Sequence, residues 1–379
     1  MRIAYPMRVD ALDKPGGDVL QVLRYIEEGK KPGADGLPRF EGNILSSLHA
    51  DLSGFDLVHL TNIDRPVDTY RSFLAAKAAC KPIVISPIHH SYEEIERFER
   101  MGRDGAVGVI SGVLGFCRLE YARSMVRSLE YPEVASSTLR MMLRGMRRSQ
   151  RDVLTGACRI LVLAEKEKND ILRNFGEIRE EKFVRLRNGF ESNSEGMDHL
   201  ATRNIDVCMV GRIEARKNQV AVLRVLNRMG VSGVFVGSEN PKHRRYCRRF
   251  REMIAKSGSQ HMGELSHEET LSVMRRAQLH ISASWFEVSS MVDLEAYSAG
   301  CGVVSSQCGG TREILGDVAE YVDPASEKSI QDGMERMLAR ITSEKCEHVK
   351  PGAQAAVLNT WSEVGDELAK LYREVVNSR

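Results

Sequence analysis

No sign of charge dominates this sequence: 54 Lys and Arg stand against 52 Asp and Glu, a formal net charge of +2. That balance excludes a protein that holds nucleic acid by bulk electrostatics. The eight cysteines (Cys80, Cys117, Cys158, Cys208, Cys247, Cys301, Cys308, Cys346) include no C-x-x-C pair. Scattered cysteines are neither a zinc ligand set nor a disulfide framework, and they suit a reducing compartment. Long apolar runs are missing too. The longest, Ala106 to Cys117, is about a dozen residues, well short of the roughly 20 that a spanning helix needs. The first residues carry no apolar signal-peptide core. These absences predict a cytoplasmic protein that is not exported and does not cross a membrane. There is also no D-x-D to hold a divalent ion against a diphosphate, and no G-x-G-x-x-G after the first strand, which argues against NAD or FAD. The expected cofactor list is empty, metal included.

At 379 residues the chain exceeds what one hydrophobic core serves, so two domains are expected. Short apolar runs alternate with helical stretches: Asp206–Val210 and Val231–Val236, each ending in glycine, and Leu279–Ala283, Gly302–Ser305 and Glu320–Val322 read as strands. Strands alternating with helices of ten or so residues predict βαβ units and parallel sheets. Ser266, with Glu269 three residues on, is a capping-box signature for a helix over Glu268–Ala277. In the first half Arg2–Tyr5, Leu57–Leu60, Pro82–Ser86 and Arg159–Ala164 read as strands of one sheet. The expected organisation is a first α/β domain over 1–187 with a helical insertion at about 90–155, a second over 188–359, and a closing helix over 360–379. That helix carries Trp361, Val364, Leu368 and Leu371 at helical spacing.

The strongest chemical signal runs from Ile281 to Gly302. A strand delivers Phe286 and Glu287 to its carboxyl end, and Glu295 lies on the next helix; ligands of open α/β sheets bind at such ends. A helix N-terminus there offers unpaired N–H groups and partial positive charge, which suits a diphosphate. Glu295 is suited to accept hydrogen bonds from a ribose and Glu287 from a transferred sugar. Gly211-Arg212, with Lys217 and Asn218, follows another strand of the same domain. Fixed cations there stabilise charge that develops on a departing diphosphate more than charge already present.

Gly211-Arg212…Lys217-Asn218, Ser284-Trp285-Phe286-Glu287…Glu295-Ala296, Gly300-Cys301-Gly302-Val303-Val304 and Gly309-Gly310-Thr311-Arg312-Glu313 together resemble a family 4 retaining glycosyltransferase of the GT-B fold. Asn188-Gly189, the Gly16-Gly17 turn after the first strand and Trp361 extend the resemblance to the whole chain, except for Ser91–Thr155. It implies two Rossmann-like domains whose parallel sheets face across a cleft, with a C-terminal helix crossing back to the first domain. It implies transfer of a hexosyl-type sugar from a nucleotide-sugar to a glycan or lipid-linked acceptor, with retention and without metal, as in cell-surface polysaccharide or lipopolysaccharide biosynthesis. His90 (or the adjacent His89), Arg212, Lys217 and Glu287 would be catalytic. Gly16, Gly17, Asn188, Gly211, Arg212, Lys217, Met262, Glu287, Val288, Ser289, Ser290 and Glu295 would bind the donor. One departure stands out: where the family commonly has glycines between the glutamates, this chain reads Val288-Ser289-Ser290, and a Cβ restricts approach to a phosphate. The rival readings are a phosphorylase or nucleotide-sugar epimerase of the same fold, and a non-catalytic partner that keeps the nucleotide site.

Within the insertion, Ser136–Arg151 is one-sided at 100° per residue. Arg140, Arg144, Arg147, Arg148 and Arg151 share one face and Leu139, Met142, Leu143 and Met146 another. Arg118, Arg123 and Arg127 add charge upstream. This predicts either a helix with a solvated basic side or peripheral contact with an anionic membrane, where a lipid-linked acceptor resides.

Overall fold

A computed structural model of the chain describes residues 1–13, 16–33, 36–45, 51–103, 120–126, 128–132, 135–190, 203–343 and 359–378. It divides into two compact units. The first comprises Met1–Tyr92, Leu114–Gly189 and Asn359–Arg379, and the second Glu93–Val113 and Phe190–Leu358.

The first unit runs β1 (Arg2–Pro6), α1 (Gly17–Lys30), β2 (Glu41–Leu45), β3 (Leu57–Thr61), α2 (Pro66–Ala78) and β4 (Ile83–Ser86). The chain then leaves through α3 (Tyr92–Met101). It resumes with α4 (Ala135–Arg144), α5 (Met146–Gly156), β5 (Arg159–Val162), α6 (Glu165–Phe175) and β6 (Phe183–Arg185). The strands form one all-parallel sheet in the order β2-β1-β3-β4-β5-β6. The short edge strand β2, whose residues are all half-buried or exposed, has no apolar run to announce it in sequence.

The second unit runs β7 (Ile205–Val210), α7 (Gln219–Met229), β8 (Gly233–Val236), α8 (Arg244–Ile254), β9 (Gln260–His261), α9 (His267–Arg276) and β10 (Ala277–Ile281). It continues with α10 (Met291–Ser298), β11 (Gly302–Ser306), α11 (Thr311–Leu315), β12 (Ala319–Val322) and α12 (Glu327–Thr342). Its parallel order is β12-β11-β10-β7-β8-β9. The sheet is covered on both faces, as the near-continuous apolar strands require. Val207, Met209 and Val304 pack with α7, α8 and α12. Cys208 and Val303, one residue out of phase with them, pack with α9, α10 and α11. The capping box that opens α9 is formed, Ser266 and Glu269 each bonding the other's backbone N–H.

The closing helix, α13 (Trp361–Asn377), belongs to the first unit. Its Thr360–Glu363 capping box starts it. Arg39 then binds Asp366 through two nitrogens, at 2.6 and 3.0 Å. Deeper in, Tyr372 meets Tyr5 (2.8 Å) and His59 (2.6 Å), and His59 meets Ser86 at 2.9 Å. One buried polar chain thus joins α13 to β1, β3 and β4. At the other end of the helix, a Cβ on Gly189 would stand 2.5 Å from the Trp361 backbone nitrogen, so only glycine admits the helix here.

The insertion departs from its sequence reading. Glu93–Arg103, expected in the first domain, groups with the second unit. Asn188 and Gly189, read as opening the second domain, group with the first. The single helix expected over Ser136–Arg151 is two, α4 and α5, broken at Gly145 (φ 88). Glycine takes this left-handed value without strain. The break separates Arg140 and Arg144 from Arg147, Arg148 and Arg151, so there is no continuous arginine stripe. Nor is the apolar face covered: Leu139 and Leu143 are 58% and 81% exposed, whereas Met141 and Met146 are buried. Ala106–Cys117, Arg118 and Arg127 lie outside the described residues.

Candidate active site

In the second unit the carboxyl ends of the central strands β7 and β10 carry the motifs. After β7, Gly211 turns the chain, and the Lys217 side chain folds over it, its methylenes 3.6–3.8 Å from where a Gly211 Cβ would stand. A 3-10 turn over Ala215–Lys217 ends at Asn218, whose left-handed backbone (φ 67) is held by its amide donating to Pro324 O at 2.9 Å. After β10, Trp285 N donates to Arg216 O at 2.9 Å, which locks the two loops together.

Glu287 sits where they meet. Its Oε1 takes Lys217 Nζ and, at 3.2 Å, the guanidinium of Arg216. Arg216 also reaches Glu214 (3.1 Å) and lies over the Phe286 ring. The carboxylate is therefore held in place by two cations. Arg212 is exposed, while Lys217 and Glu295 are half-buried. Gly211, Arg212, Lys217, Glu287, Val288, Ser289, Ser290 and Glu295 thus fall on three adjoining segments at one end of the sheet. Met262 follows β9 and is 46% exposed.

The loop between the glutamates needs no glycine. None of Val288, Ser289 and Ser290 has a positive φ, so a Cβ costs nothing in backbone strain. Ser290 caps α10, accepting from Asp293 N, and its own N–H donates to Thr311 Oγ1 at 3.2 Å. Gly310 N donates to Val288 O at 2.7 Å. A Cβ on Gly309 would lie 2.5 Å from Glu287 O, so that glycine permits the clamp. Helix α3 completes the surround: Glu94 accepts from Gly309 N (3.2 Å), Arg97 binds Asp323 (2.8 Å) and Phe98 packs on Trp285 and Phe286.

In the first unit the residues after β4 form a separate polar cluster. Ile88 adopts φ 48, a left-handed conformation that a β-branched side chain rarely takes. His89 is fully buried, with Nδ1 at 2.6 Å from Asp64 and Nε2 at 2.9 Å from Asn174. His90 retains 21% side-chain exposure, and its Nδ1 and backbone N–H both reach Asp64, at 2.9 and 2.8 Å. Burial alone would raise the Asp64 carboxyl, but His89 and His90 hold it well below the usual carboxylate range. Burial pushes Glu167 up to about 7, against the N–H groups of Leu163 and His89 that favour its carboxylate. Gly16 is the N-cap of α1 and Gly17 its first residue. Asn188 is buried and accepts from Gln21 at 2.6 Å.

Residues 198–355 match the family model described as glycosyl transferases group 1. That stretch is similar to the group 1 glycosyltransferases. None of the curated proteins matches it in sequence. Solved structures match throughout. Sucrose-phosphate synthase from Thermosynechococcus elongatus aligns over 100% of both chains with TM-score 0.69 at 14% identity. A glycosyltransferase from Rickettsia africae aligns over 100% of this chain and 99% of its own, with TM-score 0.66 and 14% identity. Anabaena HepE, in complex with UDP-glucose, aligns over 100% and 98% with TM-score 0.58 at 15% identity. The chain therefore has the GT-B fold: two parallel six-stranded sheets with their helices.

Several residues of the two separate clusters escape a sequence reading. Arg216, a second cation on Glu287, was legible beside Lys217 but is distinguished only by where the 3-10 turn aims it. Asp64 lies just past the carboxyl end of β3, a position that the strand-end rule marks. Glu94 and Phe98 carry no signal at all, because their partners lie about 200 residues downstream.

Proposed function

We propose that the glycosyltransferase moves a sugar from a nucleotide-sugar to a glycan acceptor, lipid-linked in the cell, with retention of configuration. The observation that carries this is Glu287 paired with Lys217 and Arg216 where the loops after β7 and β10 meet, next to the start of α10. An incoming diphosphate draws Lys217 and Arg212 toward itself and takes the first N–H groups of α10. Glu287 then accepts hydroxyls of the transferred sugar, and Glu295 those of the ribose. The bond from the anomeric carbon to the phosphate oxygen breaks, and its electron pair leaves with the diphosphate. The acceptor oxygen attacks from the same face, and its proton passes to that departing oxygen. The cations drawn there stabilise the charge that accumulates on the diphosphate. His90, oriented by Asp64, is the better candidate of the two histidines, since its side chain reaches the surface while that of His89 is fully buried.

HepE was solved with UDP-glucose, which supports a UDP-sugar as the first donor to try. Melting temperature measured against UDP-, GDP-, ADP- and dTDP-sugars should rise with one of them, because a ligand that binds only the native state stabilises it. Turnover of that donor should survive EDTA, since cationic side chains take the place of a metal. Failure of all four to bind or react would reject the reading, and activity lost to EDTA and restored by Mg²⁺ would reject its metal independence.

Peripheral membrane contact is part of the same proposal, on a basis different from an arginine stripe. Arg144 is taken by Asp152 (2.8 and 2.9 Å) and Arg147 lies over the Tyr92 ring. What stands out instead is apolar: Met125, Val126, Leu129, Leu139 and Leu143 are all more than half exposed within one short stretch. Met142, Leu143, Gly145 and Arg148 line a depression of about 400 Å³ beside them. Among the described residues no helix is long and apolar enough to cross a membrane, so this surface would lie on one. Apolar insertion resists salt where charge attraction does not. The glycosyltransferase should therefore sediment with phosphatidylglycerol vesicles and keep part of that binding at 1 M salt, and Leu139→Ser with Leu143→Ser should abolish the salt-resistant part. Equal sedimentation of wild type and double variant would remove the surface from the account.

A further inference from the structure

Beneath α10 lies a buried network that the transfer chemistry does not use. Asp293, in the first turn of α10, is fully buried, and so is His280 of β10. One carboxylate oxygen of Asp293 meets His280 Nε2 at 3.1 Å. The other accepts from Ser282 (2.9 Å), just past β10, and from Ser305 (2.6 Å) of β11. His280 continues to Cys208 of β7, Nδ1 to Sγ 3.7 Å. Three adjacent strands and one helix start are thus joined through a single carboxylate. Asp293 stands three residues after the N-cap, where an acid ordinarily turns back to bond the N-cap N–H. Here that N–H is satisfied by Thr311 instead, which leaves the carboxylate to point into the sheet.

We propose that Asp293 is a positioning residue: through His280, Ser282 and Ser305 it sets the height of the α10 N-terminus over the strand ends, and so the affinity for the donor diphosphate. The inference rests on that N-terminus being the diphosphate site. The argument is geometric. The loop of Val288–Ser290 is clamped from Gly310 and Thr311, and apolar packing holds α10 through Leu294, Ala296 and Tyr297, so the polar anchor of its first turn is Asp293. Hydrogen bonds to a charged acceptor are the stronger kind, and a carboxylate near a helix N-terminus is further favoured by the helix dipole. Two short serine bonds and one to an imidazole define the position of Asp293 more tightly than apolar packing does.

The test replaces the network without leaving a buried charge. Removing one partner of a buried pair is strongly destabilising, whereas exchanging both for apolar residues is often neutral. Asp293→Leu with His280→Phe should therefore melt within about 3 °C of wild type. In that variant the donor KM should rise about 10-fold while kcat changes less than about 3-fold. Amide exchange of residues 291–294 should quicken in the ligand-free variant while β7 and β11 stay protected. Asp293→Asn, which keeps the shape but loses the charge, should lie between. Unchanged KM and unchanged exchange at 291–294 in the folded double variant would overturn the proposal, as would loss of protection spread evenly over the unit. Wild type that binds none of UDP, GDP, ADP and dTDP would reject the donor site itself, while the exchange pattern would still decide whether Asp293 holds α10.

Discussion

Lys217→Ala should lower kcat at least about 100-fold while leaving the melting temperature nearly unchanged. The side chain covers Gly211 and ends on Glu287, and in the proposed mechanism it meets the charge of the diphosphate. Losing one preformed electrostatic partner of a transition state typically costs 10²–10³ in kcat, about 3–4 kcal/mol. Arg216 remains on Glu287 in that variant, so the carboxylate is not orphaned and the fold is spared. Arg216→Ala should be worse for stability, because that guanidinium also bonds Glu214 and the Phe286 carbonyl. Steady-state kinetics beside a melting curve separates the two. A Lys217→Ala enzyme with near-normal kcat would take the lysine out of the mechanism.

Tyr372→Ala should destabilise the first unit by about 3–5 kcal/mol, the range for emptying a large buried site, with further loss from stranding polar partners. The ring is fully buried against Phe40, and its hydroxyl serves both Tyr5 and His59. Tyr372→Phe keeps the packing and should cost only the stranded-partner part. Equal denaturation midpoints for wild type and Tyr372→Ala would show that α13 contributes little to the unit. The same network makes the unit sensitive to acid. Burial drives His59 down to about 3 from an ordinary 6.5, so between those pH values the unfolded chain binds the extra proton. Stability from this group is complete above pH 6.5 and falls as pH drops toward 3, by up to about 1.4 kcal/mol per pH unit. The raised Glu167 has the opposite sign between 4.5 and 7. Subtracting a His59→Asn variant isolates the histidine, and identical slopes for the two proteins would refute it.

Much of this protein was legible in its sequence by itself. The β-rich runs of the second unit, the alternation that demands a parallel sheet, the capping box of α9 and the approximate start of α13 all depend on neighbours within a few residues. That the segments carrying Lys217 and Glu287 meet was legible too, because strand ends of a parallel sheet gather on one side whatever the loops do. Other features were decided only by tertiary structure. That Arg216 shares Glu287 depends on how a 3-10 turn aims two adjacent cations, and that His89 is spent on Asp64 and Asn174 depends on three separate elements meeting. Whether Leu139 and Leu143 are buried could not follow from periodicity, which reports that a face exists but not that anything covers it. The helix break at Gly145 and the transfer of α3 to the second unit have the same origin. A glycine tolerates either conformation, and an amphipathic helix fits any apolar surface of its width, so long-range packing makes the choice. Asp293 shows this best: in sequence it is an ordinary acid in a helix's first turn, and only the strands beneath it give its carboxylate three partners.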